Sequence, residues 1–182
     1  MTPVAETAEK IRTMEIRGAG RIARAGAQAL GDFAVSYDGE TLDGFLSDLS
    51  DAKRTLLDSR PTAVSLWNGV HATVRGAQDA STLEDAKDLV VRNAAEFCRR
   101  SEMAVEEIAR IGARRIQDGD TILTHCNSSA ALGTIIEAHR QGKRIKVYAT
   151  ESRPWRQGIL TVNALADAGV DVTLIIDSAV RA

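Results

Sequence analysis

Aromatic residues are scarce in this chain: three Phe, two Trp and two Tyr make up 4% of 182 residues. So thin a supply argues against a protein whose main business is stacking nucleic-acid bases on rings. Excess charge of one sign is missing too. The formal net charge is −2, which gives no electrostatic case for a nucleic-acid partner. No apolar run approaches the length of a membrane span, and the N-terminus has no apolar signal core, so no membrane partner is expected. Cysteine is limited to Cys98 and Cys126. This usage suits a reducing cytoplasm better than a disulfide framework, and no close Cys or His pairs have structural-zinc spacing, so no metal is expected. There is no internal repeat and no low-complexity linker. What is present is an ordinary apolar fraction, 44%, in a chain long enough for one large domain or two small ones.

The chain has two rhythms. Residues 4–14 carry helical periodicity. After the interruption at Gly18 and Gly20, an alanine-rich helix is expected over 21–34. Asp38-Gly39 marks a turn. Phe45, Leu46, Leu49 and Leu56 then recur at helical spacing, with a stop near Ser59, because Pro61 disfavours α geometry at Arg60. Ser81-Thr82-Leu83-Glu84 reads as a capping box with the serine as cap. The helix it opens is expected to reach about Gln117, with Leu89, Phe97, Ile108, Ile111 and Ile116 as its apolar face. Beyond Asp118 short apolar runs alternate with helical patterns. Strands are expected at 121–124, 145–149 and 172–176, and helices at 130–140 and 159–168. That alternation implies a parallel sheet with right-handed crossovers. The fold expectation is therefore α/β: a helical N-terminal domain over 1–117, then over 118–182 a Rossmann-like parallel βαβαβ unit that looks truncated. Three parallel strands are half of a doubly wound sheet. Further polypeptide or another subunit is expected to cover the bare edge, and the chain is expected to form a homo-oligomer.

The run Thr124-His125-Cys126-Asn127-Ser128-Ser129-Ala130 carries the chemistry. It sits where a strand's carboxyl end meets a helix N-terminus, the place where α/β sheets bind ligands. The helix dipole and its leading N–H groups favour both a thiolate and a phosphate. A lone cysteine is most often a small buried hydrophobe. The polar neighbours of Cys126 favour a functional thiol instead, whereas Cys98, beside Phe97 within a helix, reads as core. His125 is either a proton carrier or a packed side chain that orients the loop. Asn127, Ser128 and Ser129 serve equally as a helix cap or as phosphate donors. The segment is neither a Walker loop nor a Gly-x-Gly-x-x-Gly fingerprint.

The loop from Glu151 to Gly158 follows the second strand and so falls on the same sheet edge. Arg153 can hold a phosphate bidentately, and Glu151 can orient a sugar hydroxyl; the plain alternative is a solvated turn. Arg17-Gly18-Ala19-Gly20 and Arg60-Pro61-Thr62-Ala63 each join an arginine to small residues that let a ligand approach the backbone. Most such arginines are surface charges. Their combination suggests a ligand with more than one phosphate.

These blocks together resemble one family. It contains methylthioribose-1-phosphate isomerases, ribose-1,5-bisphosphate isomerases, and the alpha, beta and delta regulatory subunits of eukaryotic initiation factor 2B. The matching residues are Met14-Glu15-Ile16-Arg17-Gly18-Ala19-Gly20, Arg60-Pro61-Thr62-Ala63-Val64-Ser65-Leu66, Gly119-Asp120 leading to Thr124-His125-Cys126-Asn127-Ser128, and Arg153-Pro154-Trp155-Arg156-Gln157-Gly158. Asp177-Ser178-Ala179 matches the segment after the third strand. The resemblance runs from about Glu9 onward. Arg17-Gly18-Ala19-Gly20 and the Val64-Ser65-Leu66 ending look most like the archaeal ribose-1,5-bisphosphate isomerases.

That resemblance implies an aldose–ketose isomerase acting on a phosphorylated sugar, with no metal or redox cofactor. It makes Cys126 the catalytic thiol. Arg17, Gly18, Ala19, Gly20, Arg60, Ser128, Ser129 and Ala130 become substrate contacts, joined by Arg153 from the loop argument. Two departures stand out. The family's usual Glu-Thr-Arg-Pro reads Glu151-Ser152-Arg153-Pro154 here, which keeps the hydroxyl. Family members also continue well past this length, into a region that carries a catalytic aspartate; Asp177 does not stand at that aspartate's place. The 182-residue chain by itself is therefore expected to be weakly active or inactive. A non-catalytic regulatory role and methylthioribose-1-phosphate isomerisation are the alternatives.

Overall fold

The computed structural model describes residues 2–181. Among the described residues, seven α-helices and a three-stranded parallel sheet form two compact units, Met1–Glu102 and Met103–Ala182. The units divide inside a long helix, whereas the change of rhythm in the sequence falls at that helix's end.

The first unit is helical. Helix α1 (Pro3–Arg12) opens with proline at its first position, where no intrahelical N–H is lost, and Thr2 Oγ1 accepts a hydrogen bond from the Ala5 amide at 3.3 Å. Helix α2 (Ala19–Ser36) buries Ala23, Ala27, Ala29, Leu30 and Ala34. Helix α3 (Leu42–Ser59) is capped by Thr41 and buries Phe45, Leu49, Ala52 and Leu56, the stripe its periodicity predicts. Phe45 lies within ring contact of both Phe33 and Tyr37, at centroid distances of 5.8 and 5.0 Å.

Helix α4 (Val64–Val74) follows the Arg60-Pro61-Thr62-Ala63 turn and was not legible in the sequence. Its buried residues are Leu66, Gly69, Val70 and Thr73. It lies against α2 so closely that a Cβ on Gly69 would sit 2.7 Å from the Ala23 carbonyl oxygen. Only glycine permits that approach.

Helix α5 (Leu83–Ala113) corrects two expectations. Its cap is Thr82 and not Ser81. The Asp85 amide donates to Thr82 Oγ1 at 3.1 Å and that hydroxyl donates to Asp85 Oδ2 at 2.7 Å, so the cap and its acidic partner each stand one position later than expected. Ile108 and Ile111 do not lie in a buried face; they are 48% and 49% exposed, while Ala86, Val90, Ala94, Ala109 and Ala113 are buried. Packing against helix α6 (Ser129–Arg140) explains the difference. A Cβ on Gly112 would lie 2.7 Å from Thr134 Oγ1, and one on Gly133 would lie 3.2 Å from Ala109 Cβ. Two helices this close select glycine and alanine for the contact and turn isoleucines of the same helix outward.

The second unit is the sheet. Strands β1 (Thr121–His125), β2 (Lys146–Glu151) and β3 (Asp171–Ile176) run parallel in the order β1-β2-β3. Ile122, Val147 and Val172 stand in register, as do His125, Thr150 and Ile175. Helices α6 and α7 (Gln157–Asp167) are successive crossovers in the same direction, so right-handedness puts both on one face. Ile122, Val147 and Val172 pack there with Ile135, Ala138 and Leu165. The other face carries Leu123, Tyr148 and Thr173 in register, and Leu123 is 51% exposed. A short 3-10 segment (Asp177–Arg181) follows β3 and also touches β2.

Candidate active site

The strand-to-helix junction forms as the sequence predicts. β1 ends at His125, and Cys126 turns the chain with φ +61° before α6 begins. Cys126 is half-buried. Its carbonyl oxygen accepts a hydrogen bond from Thr161 Oγ1 on α7 at 2.7 Å, so the thiol's backbone is tied to the neighbouring crossover helix. Ser128 is the N-cap of α6; its Oγ accepts from the Ala131 amide at 3.4 Å. Ser129 and Ala130 head the helix, where backbone N–H groups face outward and attract anions. The structure thus brings Cys126, Ser128, Ser129 and Ala130 to one spot.

The Glu151–Gly158 loop lies at the end of the adjacent strand, because His125 pairs with Thr150 in the parallel register. Arg153 is exposed there, preceding Pro154 across a cis peptide bond. Glu151, at the end of β2, closes this loop. Its carboxylate is buried, and Oε1 accepts from the Ser152 amide at 2.9 Å and from the Gly158 amide at 3.2 Å. The carboxylate thereby satisfies the first turn of α7 and closes the loop. Gly158 has no room for a side chain, since a Cβ would lie 2.7 Å from Glu151 Cα and closer still to the Thr150 carbonyl oxygen.

The two arginine motifs belong to the first unit. Arg17 is half-buried and precedes Gly18, which has φ +94° and is the N-cap of α2. Gly18, Ala19 and Gly20 form the start of that helix, and a Cβ on Gly18 would meet nothing within 4 Å. Arg60 is the C-cap of α3, and its carbonyl accepts from the Ala63 amide at 3.0 Å across the turn into α4. Each motif is a backbone turn at a helix end, a form suited to anion contact.

The two cysteines differ in setting. Cys98 Sγ lies 3.7 Å from the Arg24 carbonyl oxygen, and burial pushes its thiol pKa up, which keeps it protonated. At the amino end of the sheet Asp118 accepts from the Arg144 guanidinium at 2.8 Å and from its amide at 2.7 Å; these bonds lower its pKa to about 2. Among the described residues no group of three or more His, Cys, Asp or Glu is placed to hold a metal ion, and no helix is long and apolar enough to cross a membrane.

One arrangement escaped the sequence reading. His125 Nδ1 lies 2.6 Å from Thr150 Oγ1 and 3.5 Å from Asp177 Oδ1. Only the strand register could have pointed to Thr150, and nothing local points to Asp177.

The chain is similar to known proteins over almost its whole length. The chain is 50% identical over 181 residues to a ribose 1,5-bisphosphate isomerase of Archaeoglobus fulgidus, covering 100% of this chain and 56% of that protein. It is 49% identical over 181 residues to a protein of the same name from Methanocaldococcus jannaschii, covering 100% and 58%. The chain spans a little over half the length of these curated relatives. Among solved structures, the translation initiation factor eIF-2B of Pyrococcus horikoshii OT3 superposes with a TM-score of 0.84 at 31% identity, over 96% of this chain and 60% of that one. The model of the initiation factor 2 subunit family matches residues 15–182. That match spans the strand that ends at Cys126, the α6 cap and both arginine motifs, and the chain belongs to the initiation factor 2 subunit family.

Proposed function

We propose that this protein is a sugar-phosphate aldose–ketose isomerase that converts ribose 1,5-bisphosphate into ribulose 1,5-bisphosphate. One observation carries the reading: a cysteine stands at the carboxyl end of β1 beside the N-terminus of α6, in a chain half identical over its full length to relatives named for that reaction.

The chemistry suits the residues. Isomerisation moves a proton from C2 to C1, while the C2 hydroxyl proton is transferred to the ring oxygen as its bond to C1 breaks. Cys126 is the acid/base group at carbon, and the hydrogen bond from Thr161 to its carbonyl fixes the backbone that carries it. Ser128, Ser129 and Ala130 offer cap and helix-dipole donors to one phosphate. Arg17, Gly18, Ala19, Gly20 and Arg60 bind substrate by the resemblance of their motifs, and Arg153 adds a bidentate fork from its loop. Phosphate contacts remote from the reacting carbons supply binding energy that orients the sugar. The reaction consists of proton transfers and calls for no redox cofactor. A cytoplasmic homo-oligomer is part of the same proposal.

The test is formation of ribulose 1,5-bisphosphate by the native polypeptide, alongside solvent deuterium exchange at the substrate carbons. Turnover and exchange, both lost in Cys126→Ser, support the reading. Phosphate-dependent binding without turnover would favour the regulatory alternative, and turnover of methylthioribose 1-phosphate alone would favour the other isomerase.

A further inference from the structure

Three successive strand ends each contribute one polar group to a line across the carboxyl edge of the sheet. His125 closes β1, Thr150 stands in register with it on β2, and Asp177 follows β3. Register puts the His125 side chain on the face opposite α6 and α7, where Thr150 is only 2% exposed. The 3-10 segment that begins at Asp177 touches β2 and so brings the carboxylate back toward the ring. His125 Nδ1 is 2.6 Å from Thr150 Oγ1 and 3.5 Å from Asp177 Oδ1.

Two proton arrangements satisfy the shorter distance. The threonine hydroxyl donates to a bare Nδ1, or an Nδ1–H donates to the hydroxyl oxygen. The carboxylate decides between them. A bare Nδ1 would aim its lone pair at a negatively charged oxygen. An Nδ1–H faces both oxygens as a donor, Thr150 closely and Asp177 at longer range.

We infer that Asp177 and Thr150 are positioning residues that hold His125 as its Nδ1–H tautomer, leaving Nε2 as a proton acceptor one residue from Cys126. The His125 side chain keeps 66% of its surface open at the sheet's edge. In the isomerase proposed above, the carbon-bound proton travels from C2 to C1 through the Cys126 sulfur. The hydroxyl proton on the C2 oxygen passes to Nε2 and on to the ring oxygen at C4, whose bond to C1 breaks as the sugar ring opens, while the oxygen at C1 stays bound to its phosphate. Atoms and electrons balance with no co-reactant. Asp177 and Thr150 stay paired with the ring while it is charged. This kinetic consequence rests on the isomerase reading; the tautomer does not.

The experiment has two arms on the native polypeptide. In the first, long-range proton–nitrogen NMR of ¹⁵N-histidine protein reports the tautomer of each imidazole. The chain has three histidines, so His125→Gln assigns the signal. The neutral ring is expected to carry its proton on Nδ1. Asp177→Asn and Thr150→Val should each raise the Nε2–H population several-fold, while Asp177→Glu and Thr150→Ser keep the native form. An Nε2–H ring in the wild type, or a tautomer unmoved in Asp177→Asn with a native amide spectrum, overturns the inference. In the second arm, Asp177→Asn should lower kcat on the order of 10- to 100-fold with KM nearly unchanged, and Asp177→Glu should recover part of it. Equal kcat in both variants and the wild type overturns the kinetic consequence. Absence of isomerase turnover in the wild type counts against the proposed function alone, because the tautomer is read without substrate.

Discussion

Thr161 Oγ1 donates a 2.7 Å hydrogen bond to the carbonyl oxygen of Cys126. The donor sits on α7, is 1% exposed, and belongs to a different crossover from the one that Cys126 opens. The backbone of the thiol is thereby fixed by tertiary structure as well as by its own turn. Thr161→Val keeps the shape and removes the donor. It should cost about 1 kcal/mol of stability and lower kcat by up to about 100-fold through displacement of the thiol. Thr161→Ser should restore both. Thermal unfolding and steady-state kinetics on the three proteins check this; an unchanged kcat in the valine variant would show that the tether is dispensable.

Cys126→Ser is expected to leave the fold intact and to reduce isomerisation by at least about 100-fold, because a hydroxyl is too weak an acid to serve as a base near neutral pH. Solvent deuterium incorporation into the product is the direct readout. Incorporation at the wild-type rate would remove the thiol from the mechanism.

Gly158→Ala should destabilise the second unit by about 1–3 kcal/mol or more, since the new Cβ would press on the backbone of Thr150 and Glu151. The Glu151 carboxylate would lose its bond to the Gly158 amide as the loop moved. Denaturant melts of the variant report the loss. A wild-type midpoint would mean that α7 can shift at no cost.

Asp118 gives a pH signature. Its pKa falls from 3.8 to about 2 in the folded chain, chiefly through the hydrogen bonds from Arg144. A carboxylate depressed on folding adds stability that is complete above the unfolded value and fades as pH drops through the folded one. The window is therefore pH 3.8 down to about 2. The pair is exposed, so its effect is small. Asp118→Asn should be slightly less stable than wild type at pH 5 and converge with it near pH 2. Parallel curves across that window would show that the pair does not act.

Element types followed from periodicity wherever one face dominates. Phe45, Leu49 and Leu56 mark α3, and the short apolar runs mark the three strands. Helix α4 escaped because its apolar residues extend round the helix: Leu66 and Val70 are buried, while Val64 and Trp67 are 71% and 53% exposed. The cap of α5 stands one residue later than the sequence predicts because Ser81 and Thr82 offer equivalent hydroxyls, and only backbone geometry selects between them. Ile108 and Ile111 misled because apolar spacing reveals a stripe but not which stripe is covered, and close approach to α6 favours Ala109 and Gly112.

By itself the sequence determined the class of fold, the family, and the placement of Cys126 where a strand hands over to a helix. Those properties follow from local pattern: period, turn chemistry, and polar residues set after an apolar run. Only the tertiary structure decided what surrounds the thiol. Thr161 reaches Cys126 across 35 positions of sequence, Thr150 reaches His125 across 25, and Asp177 meets the same ring from beyond β3. Such partners are set by strand register and helix crossover, which depend on the packing of the whole unit and leave no mark at the residues they join.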